Sequence, residues 1–244
     1  MRILVALLLC GMIMIPTVSA YGDLKAEVWS SATGSTPSSA TRSSCPCLPH
    51  PLVLEAQNIF SRMTYTAYQR TPDMNDTTGV YLCDCSDYIN TLLKRSSPAA
   101  YGQIPNYQRS PTTKDYHTFF TLLKTSPSAG SLWYRIRDAR KLCPGDVIVW
   151  RNETAGTGHI GLIMTPASIN PSRPDEVLVR IADSTTSLHA DDTRAAGTTG
   201  IGSGLIGIKI DSSGSAVGIY WKGGISRTAQ LVNVKVGRLM VSEY

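Results

Sequence analysis

The stretch GVYLCDCSDYINTLL, Gly79–Leu93, decides the fold because the period of its apolar residues changes halfway along. Its first part is an apolar, extended run that follows a glycine. From Asp84 or Cys85 onward, apolar residues recur at the spacing of one helix face: Tyr88, Ile89, Leu92 and Leu93. The stretch therefore predicts a strand that runs directly into a helix, with a cysteine in the first helical turn.

The two cysteines of this stretch receive different interpretations. A thiolate is favoured at a helix N-terminus, where the helix dipole supplies partial positive charge, and Cys85 has that position. Cys83 stands two residues earlier on extended chain, where its side chain should face away from the helix start. We therefore predict that Cys85 is a nucleophile and that Cys83 forms a structural disulfide, with Cys143 as its first candidate partner and Cys45 or Cys47 as alternatives.

The N-terminus resembles an export signal. Met1–Ala20 combines one arginine, a long apolar run and a small-residue cleavage site, which is typical of a secretory signal peptide. We expect an exported protein, periplasmic or secreted, with no integral membrane span once the signal is removed. Five of the six cysteines then remain, and in an oxidising compartment an odd number suggests one free thiol.

The rest of the chain divides into an arm and a domain. Residues 21–51 are rich in Ser, Thr and Pro without an apolar period, so we interpret them as a flexible arm. Residues 52–244 form the predicted domain, with helices in 51–69, from Cys85, and in 113–125. Later runs such as GDVIVWR, HIGLIMT, VLVRIAD, GLIGIKID, VGIYWKG and LVNVKVGRLMV are typical of strands. Helices followed by antiparallel strands predict an α+β fold, with the helices packed on one side of the sheet.

Two of these strands carry residues that could complete a cysteine site. His159 is flanked by glycines at the head of its strand, in GTGHIGLIM, and could act as the base for Cys85. Asp183 lies at the end of the next long strand and could orient the imidazole. His189, six residues later, is the alternative for this third position.

Three motifs in this order, CDCSDYI, LCPGDVIVW and GHIGLIM, resemble the papain-like NlpC/P60 superfamily of cysteine hydrolases. The resemblance implies a papain-like fold and a cysteine peptidase or amidase that acts on bacterial cell-wall peptidoglycan. It assigns Cys85 as nucleophile, His159 as general base, and Asp183 or His189 as the third residue. It also gives Asp84 and Ser86 a role in binding the substrate's amino group, although Asp84 at this position is also a good helix cap.

The sequence departs from the family pattern at two places. Asp87 stands where the family usually has Gly, which places a charge near the nucleophile and in the expected substrate groove. The family tyrosine that assists the oxyanion has no counterpart at its usual spacing, and Tyr81 and Tyr68 are the nearest candidates. These departures leave two alternatives to the cell-wall hydrolase: an inactive papain-fold binding module of the cell envelope, and a hydrolase of some other amide.

Other chemistries are less well supported by the sequence. A zinc site from Cys83, Cys85, His159 and His189 is disfavoured, because a Cys-x-Cys pair lacks the reach of the usual Cys-x-x-Cys knuckle. We expect no metal and no organic cofactor. The net charge of +5 is a mild excess without a Lys/Arg block, which argues against a nucleic-acid partner. The expected partner is peptidoglycan or a peptide substrate, and we expect a monomer.

Overall fold

A computed structural model describes Cys45 and residues 50–241. The predicted signal peptide and nearly all of the predicted arm lie outside these residues. Within them, no helix combines the length and the apolar character that a membrane span requires.

The helices of the described region are short and lie in the first half of the domain. His50 caps the first one through its Nδ1, which accepts from the Leu52 N–H at 3.2 Å. The α-helices are α1 (Pro51–Arg62), α2 (Cys85–Ser96), α3 (Pro98–Tyr101) and α4 (Thr113–Leu122), and the 3-10 turns are Tyr107–Arg109 and Ala139–Lys141.

Two sheets accompany these helices. A small sheet has the order β1-β3-β2 and a large one the order β11-β10-β9-β8-β6-β5-β12-β4, with β7 paired to β8. The pairings recorded in the large sheet are antiparallel. The strands are β1 (Tyr65–Tyr68), β2 (Asp73–Asn75), β3 (Val80–Cys83), β4 (Trp133–Ile136), β5 (Val147–Asn152), β6 (Thr157–Ile163), β7 (Ser168–Asn170), β8 (Arg173–Thr185), β9 (Gly200–Ile210), β10 (Ala216–Tyr220), β11 (Gln230–Leu231) and β12 (Asn233–Leu239).

The predicted α+β class is confirmed, since a large antiparallel sheet accompanies a few helices. The sheet carries aliphatic clusters on both faces. One face is built on residues such as Ile148, Ile181 and Ile208. On the other, Gly237 of β12 lets α4 approach closely, because a Cβ there would lie 2.4 Å from the Phe120 ring.

The prediction for the region before Cys85 was wrong in part. The helix predicted over 51–69 ends at Arg62, and Met63 is already extended, with φ −67° and ψ 118°. The next residues, Tyr65–Tyr68, include aromatic and β-branched side chains and form a strand parallel to β3. Their pairing with β3 outweighs the apolar period that continued the helix in sequence.

The predicted Cys83–Cys143 disulfide is also wrong. Cys143 is bonded to Cys45, across a sequence separation of 98 residues, while Cys83 is a buried free thiol. Cys83 is fully buried, and burial above all raises its pKa. It has the character of a small apolar core residue rather than of a cross-link.

Candidate active site

The nucleophile candidate lies where β3 passes into α2. Asp84 is the N-cap of this helix: its Oδ1 accepts from the Asp87 N–H at 2.9 Å and from the Ser86 hydroxyl at 3.0 Å. Cys85 is therefore the first helical residue, with its side chain beside the positive end of the helix dipole. Cys85 is 4% exposed and is a free thiol.

The register of β6 and β8 brings the candidate base to its orienting carboxylate. Leu162 pairs with Ala182, and continuing this antiparallel register sets Gly161 opposite Asp183. His159, two residues earlier, lies on the same face as Gly161 and reaches Asp183 diagonally. Its Nε2 is 2.6 Å from Asp183 Oδ2. Glycine suits the neighbouring position 161, since a Cβ there would lie 3.2 Å from the Ile181 side chain.

The His159 imidazole also interacts with the thiol of Cys85. Because Nε2 is engaged by Asp183, Nδ1 is the nitrogen left for the sulfur. Burial acts to lower the pKa of His159, but the charge and hydrogen bond of Cys85, together with those of Asp183, outweigh it and raise the pKa to about 10. The imidazole of His159 therefore holds its proton at neutral pH, next to the sulfur of Cys85.

His189 lies behind Asp183 rather than beside Cys85. Its Nε2 is 2.8 Å from Asp183 Oδ2, and its Nδ1 is 3.1 Å from the backbone carbonyl oxygen of Trp221. Both partners offer oxygen atoms, so each ring nitrogen of His189 faces a hydrogen-bond acceptor. Of the two candidates for the third position, the structure therefore brings Asp183 into contact with His159, while His189 contacts Asp183.

Asp183 is surrounded by positive groups. Arg194 donates to its Oδ1 at 3.1 Å and is itself held by Asp192 and the Gly200 carbonyl. Burial, the largest influence, would raise the pKa of Asp183, but the charge of His189 and the hydrogen bonds from both imidazoles together lower it far below its usual range. The carboxylate of Asp183 therefore stays ionised. Arg194 and His189 hold it in place, and it holds the His159 imidazole in turn. The sequence indicated a polar network here, but not that Arg194 would complete it.

Two tryptophans enclose the imidazoles. Trp150 is the direct cross-strand partner of His159, and their ring centroids are 5.0 Å apart. Trp221 lies 5.3 Å from His159 and 4.3 Å from His189, and its Nε1 donates to the Leu188 carbonyl. Neither tryptophan was predicted from the sequence. The pairing of GDVIVWR with HIGLIMT could have revealed Trp150, whereas Trp221 comes from a distant strand.

A metal site deserves a separate test, because single ligand atoms of His159, Asp183 and His189 lie within 4.8 Å of one another. Both imidazoles, however, contact the same carboxylate oxygen at 2.6 and 2.8 Å, which are hydrogen-bond distances and leave no space for an ion between the atoms. Arg194 adds a positive charge on the other oxygen. The geometry therefore fits a hydrogen-bonded cluster better than a cation site, and it does not bring Cys83 to the histidines.

Asp87, the first departure from the family pattern, is engaged away from the sulfur. Its Oδ1 accepts from the Ser110 hydroxyl at 2.9 Å, and Asn90 binds the same hydroxyl at 3.0 Å. Tyr116 donates in turn to Asn90 at 2.7 Å. Burial and the nearby charge of Asp84 raise the pKa of Asp87. The carboxylate thus ties α2 to the loop before α4.

The two candidate tyrosines are placed differently. Tyr81 is wholly buried and its hydroxyl donates to Asp76 at 2.8 Å, so the structure does not bring it to the site. Tyr68 pairs with Cys83 in the small sheet. Burial first, and then the charge of Cys85, raise the pKa of Tyr68 to about 12, so its hydroxyl remains a donor near the nucleophile.

Comparisons with known proteins add one relative and no family. The chain is 26% identical over 212 residues to uncharacterized protein R653 of Acanthamoeba polyphaga mimivirus, covering 75% of this chain and 89% of the relative. No family model and no solved structure matches the chain. The case for function therefore depends on the geometry of the site.

Proposed function

We propose that the protein is an exported cysteine hydrolase with a papain-like, NlpC/P60-type fold that cleaves a peptide or amide bond. One observation carries the proposal. The free thiol at the start of α2, Cys85, interacts with His159, which Asp183 orients from the opposite side. A nucleophile, a base and an orienting carboxylate in this order form the arrangement that acyl transfer requires.

The proposed reaction starts from a Cys85 thiolate and a protonated His159. The Cys85 thiolate attacks the amide carbonyl carbon, which forms a C–S bond and leaves negative charge on the oxygen. When the intermediate collapses, the C–N bond breaks and His159 gives the proton on Nδ1 to the leaving amine. Water then attacks the thioester while His159 takes a proton from it, and the acid product leaves Cys85 as the thiolate.

In this proposal, two kinds of hydrogen-bond donor stabilise the oxyanion. Backbone N–H groups at the start of a helix can hold an oxyanion, and Cys85 is the first residue of α2. The Tyr68 hydroxyl, whose pKa is raised to about 12, is the side-chain donor. Removal of one such donor from a hydrolase typically slows the reaction by about 10²-fold or more.

The substrate class comes from the resemblance to NlpC/P60 enzymes. It makes cell-wall peptidoglycan, or a peptide derived from it, the expected substrate of a periplasmic or secreted monomer. Asp84 and Ser86 remain the candidates for binding the substrate's amino group, although Asp84 Oδ1 already serves the helix cap. Asp87 was the reason to consider an inactive module, and its contact with Ser110 weakens that reason.

Two measurements test the proposal. Iodoacetamide under native, non-reducing conditions should alkylate Cys85, the proposed nucleophile, faster than Cys83, whose pKa is raised by burial, as mapped by mass spectrometry. Purified peptidoglycan and a peptide mixture should yield new products with wild type and with Cys83→Ala, but not with Cys85→Ala. Identical product profiles for wild type and Cys85→Ala would remove the enzyme proposal.

A further inference from the structure

A second cleft, of about 310 Å³, lies where one end of the large sheet meets the hairpin of β9 and β10. An isolated bridge between Asp138 and Ser215 joins the segment after β4 to the residue before β10. The pairing of β12 with β4 begins at Val236, and the cleft borders Lys235, beyond that pairing. None of the residues that line this cleft contacts His159, so it is separate from the candidate active site.

Three cations line the cleft: Arg135, Arg137 and Lys235. Arg135 pairs with Gly237 of β12, and Lys235, two residues before Gly237, lies on the same face of the sheet because side chains alternate along a strand. Like charges that are neighbours on one face of a sheet destabilise it. The lining includes no Asp or Glu, so the cleft concentrates positive charge.

Nearby carboxylates do not balance this charge. Among the residues that the structure describes, none of the three cations forms an ion pair. Asp138 follows Arg137 in the chain, but its carboxylate is held by Arg140 at 2.8 and 3.1 Å. Glu153 attracts Lys235 without forming an ion pair with it. The cations therefore face one another rather than partners of opposite charge.

The effect of this crowding is visible in two pKa values. Burial first, and then the charge of Arg137, lower the pKa of Arg135. Burial, and then the charge of Arg135, lower the pKa of Lys235, and they outweigh the opposite influence of Glu153. A bound anion would remove this repulsion, so the cluster costs the empty protein stability that a ligand would return.

The cations also retain hydrogen-bond donors for a ligand. Arg135 donates to the Thr121 carbonyl at 3.2 Å, and Lys235 donates to Asn233 and to the Val234 carbonyl. A guanidinium has five N–H donors and an ammonium has three. Donors therefore remain on both side chains after these contacts are made.

We propose that this cleft binds a small phosphate ester through Arg135, Arg137 and Lys235. The planar fork of a guanidinium matches the oxygen atoms of a phosphate group, and the lysine adds a point charge. Three cations suit the double charge of a phosphate monoester better than the single charge of a carboxylate. The inference does not depend on the proposed hydrolase function, because none of the residues assigned to that reaction takes part.

Titrations followed by NMR test the ligand class. Wild-type protein is titrated with inorganic phosphate, glycerol 3-phosphate and acetate at constant ionic strength. The amide signals of Ser215 and Ala216, which line the cleft, should shift with both phosphate compounds, and these should bind at least about tenfold more tightly than acetate. Equal affinities, or no shift at the cleft, would overturn the inference. Binding to phosphatidylglycerol vesicles without binding to glycerol 3-phosphate would overturn it too, since it would indicate a lipid surface.

Charge-removing variants place the binding in the cleft. Lys235→Gln and Arg137→Gln should each weaken glycerol 3-phosphate binding about tenfold. Arg227→Gln removes an exposed arginine that does not line the cleft, so it should leave the affinity unchanged. Equal losses in the three variants would show a general effect of net charge and would contradict the site.

Thermal unfolding supplies a measurement that a purely structural lysine would not reproduce. Lys235→Gln removes the repulsion between Lys235 and Arg135, so in low-salt buffer without phosphate its melting temperature should rise by roughly 1–3 °C. Its further gain on addition of glycerol 3-phosphate should be smaller than the gain of wild type. A melting temperature below that of wild type in the absence of phosphate would overturn the inference.

Discussion

The domain contains two carboxylates that are alike in being buried and in contacting an arginine, but that differ in their other neighbours. Asp183 and Asp146 are both almost fully buried in or beside strands of the large sheet, and each contacts an arginine. We call the first the histidine cluster, formed by Asp183 with His159, His189 and Arg194. The second is the clamp, formed by Asp146 with Arg238 and the Cys45–Cys143 disulfide.

The two pKa values show what the difference means. In the clamp, Arg238 takes both carboxylate oxygens at 2.6 and 2.7 Å and the Cys143 N–H donates at 2.9 Å. Burial still prevails over Arg238, and it raises the pKa of Asp146. In the histidine cluster the two imidazoles outweigh burial and lower the pKa of Asp183. One arginine therefore leaves burial dominant at Asp146, whereas two imidazoles outweigh burial at Asp183 and keep that carboxylate ionised.

The largest expected difference is in catalysis. Asp183→Asn keeps the size of the side chain but removes the charge that orients and stabilises the His159 imidazolium, so kcat/KM should fall by about 10²–10⁴-fold. Asp146→Asn should leave kcat/KM within about threefold of wild type per folded molecule, because the clamp contacts none of the reacting groups. Kinetics on the best substrate from the peptide mixture, normalised to the folded fraction, measure both. A comparable loss in the two variants would end the distinction between the regions.

How well the sequence predicts each region depends on how far apart along the chain its contacting residues lie. The contact between His159 and Asp183 could be predicted because each lies on a strand with a clear local pattern, and neighbouring strands align such residues. Cys143 was paired with the wrong cysteine because the true partner lies 98 residues away, and no local period encodes a contact across that distance. Trp221 was not predicted for the same reason, since the chain passes through β8, β9 and β10 before Trp221 contacts His159.

The strands β1 and β2 likewise depend on contacts with another segment of the chain. Each is a short strand, and each depends on β3 for its hydrogen bonds. Read alone, Tyr65–Tyr68 continues the apolar spacing of the preceding helix, so local pattern favours the wrong element. The helix boundary at Met63 becomes visible only when the partner strand is known, which is a property of the folded chain rather than of the segment.

Within the clamp, the disulfide should make the largest contribution to stability. Cys45→Ser with Cys143→Ser removes a cross-link between residues 98 positions apart, and we expect a loss of about 3–4 kcal/mol in the free energy of unfolding. Urea unfolding followed by circular dichroism measures it. Under conditions where the variant remains folded, the rate of Cys85 alkylation should stay at the wild-type value. A slower rate would show that the clamp also positions the nucleophile.

The ion pair of the clamp should contribute somewhat less. Asp146→Ala leaves Arg238 partly buried without its carboxylate, and since Arg238 retains some contact with solvent we expect a loss of roughly 2 kcal/mol. The paired variant Asp146→Leu with Arg238→Met removes both charges and should recover part of that loss. Urea unfolding of the three proteins gives the comparison. If the double variant is less stable than Asp146→Ala, the unpaired arginine is not the cause.

The smallest effect should appear in the pH dependence of stability, and it should have opposite signs in the two regions. The lowered pKa of Asp183 means that its contribution is present above about pH 4, where the unfolded chain ionises, and is lost as the pH falls toward the folded-state value. The raised pKa of Asp146 means that its contribution is greatest in acid and is lost as the pH rises through the folded-state value. As the pH falls from 6 to 3, the stability advantage of wild type over Asp183→Asn should therefore shrink. Over the same fall in pH, the stability of wild type relative to Asp146→Asn should increase. Melting temperatures at several pH values should show these changes as shifts of a few degrees, and parallel curves for the two variants would contradict the assigned pKa directions.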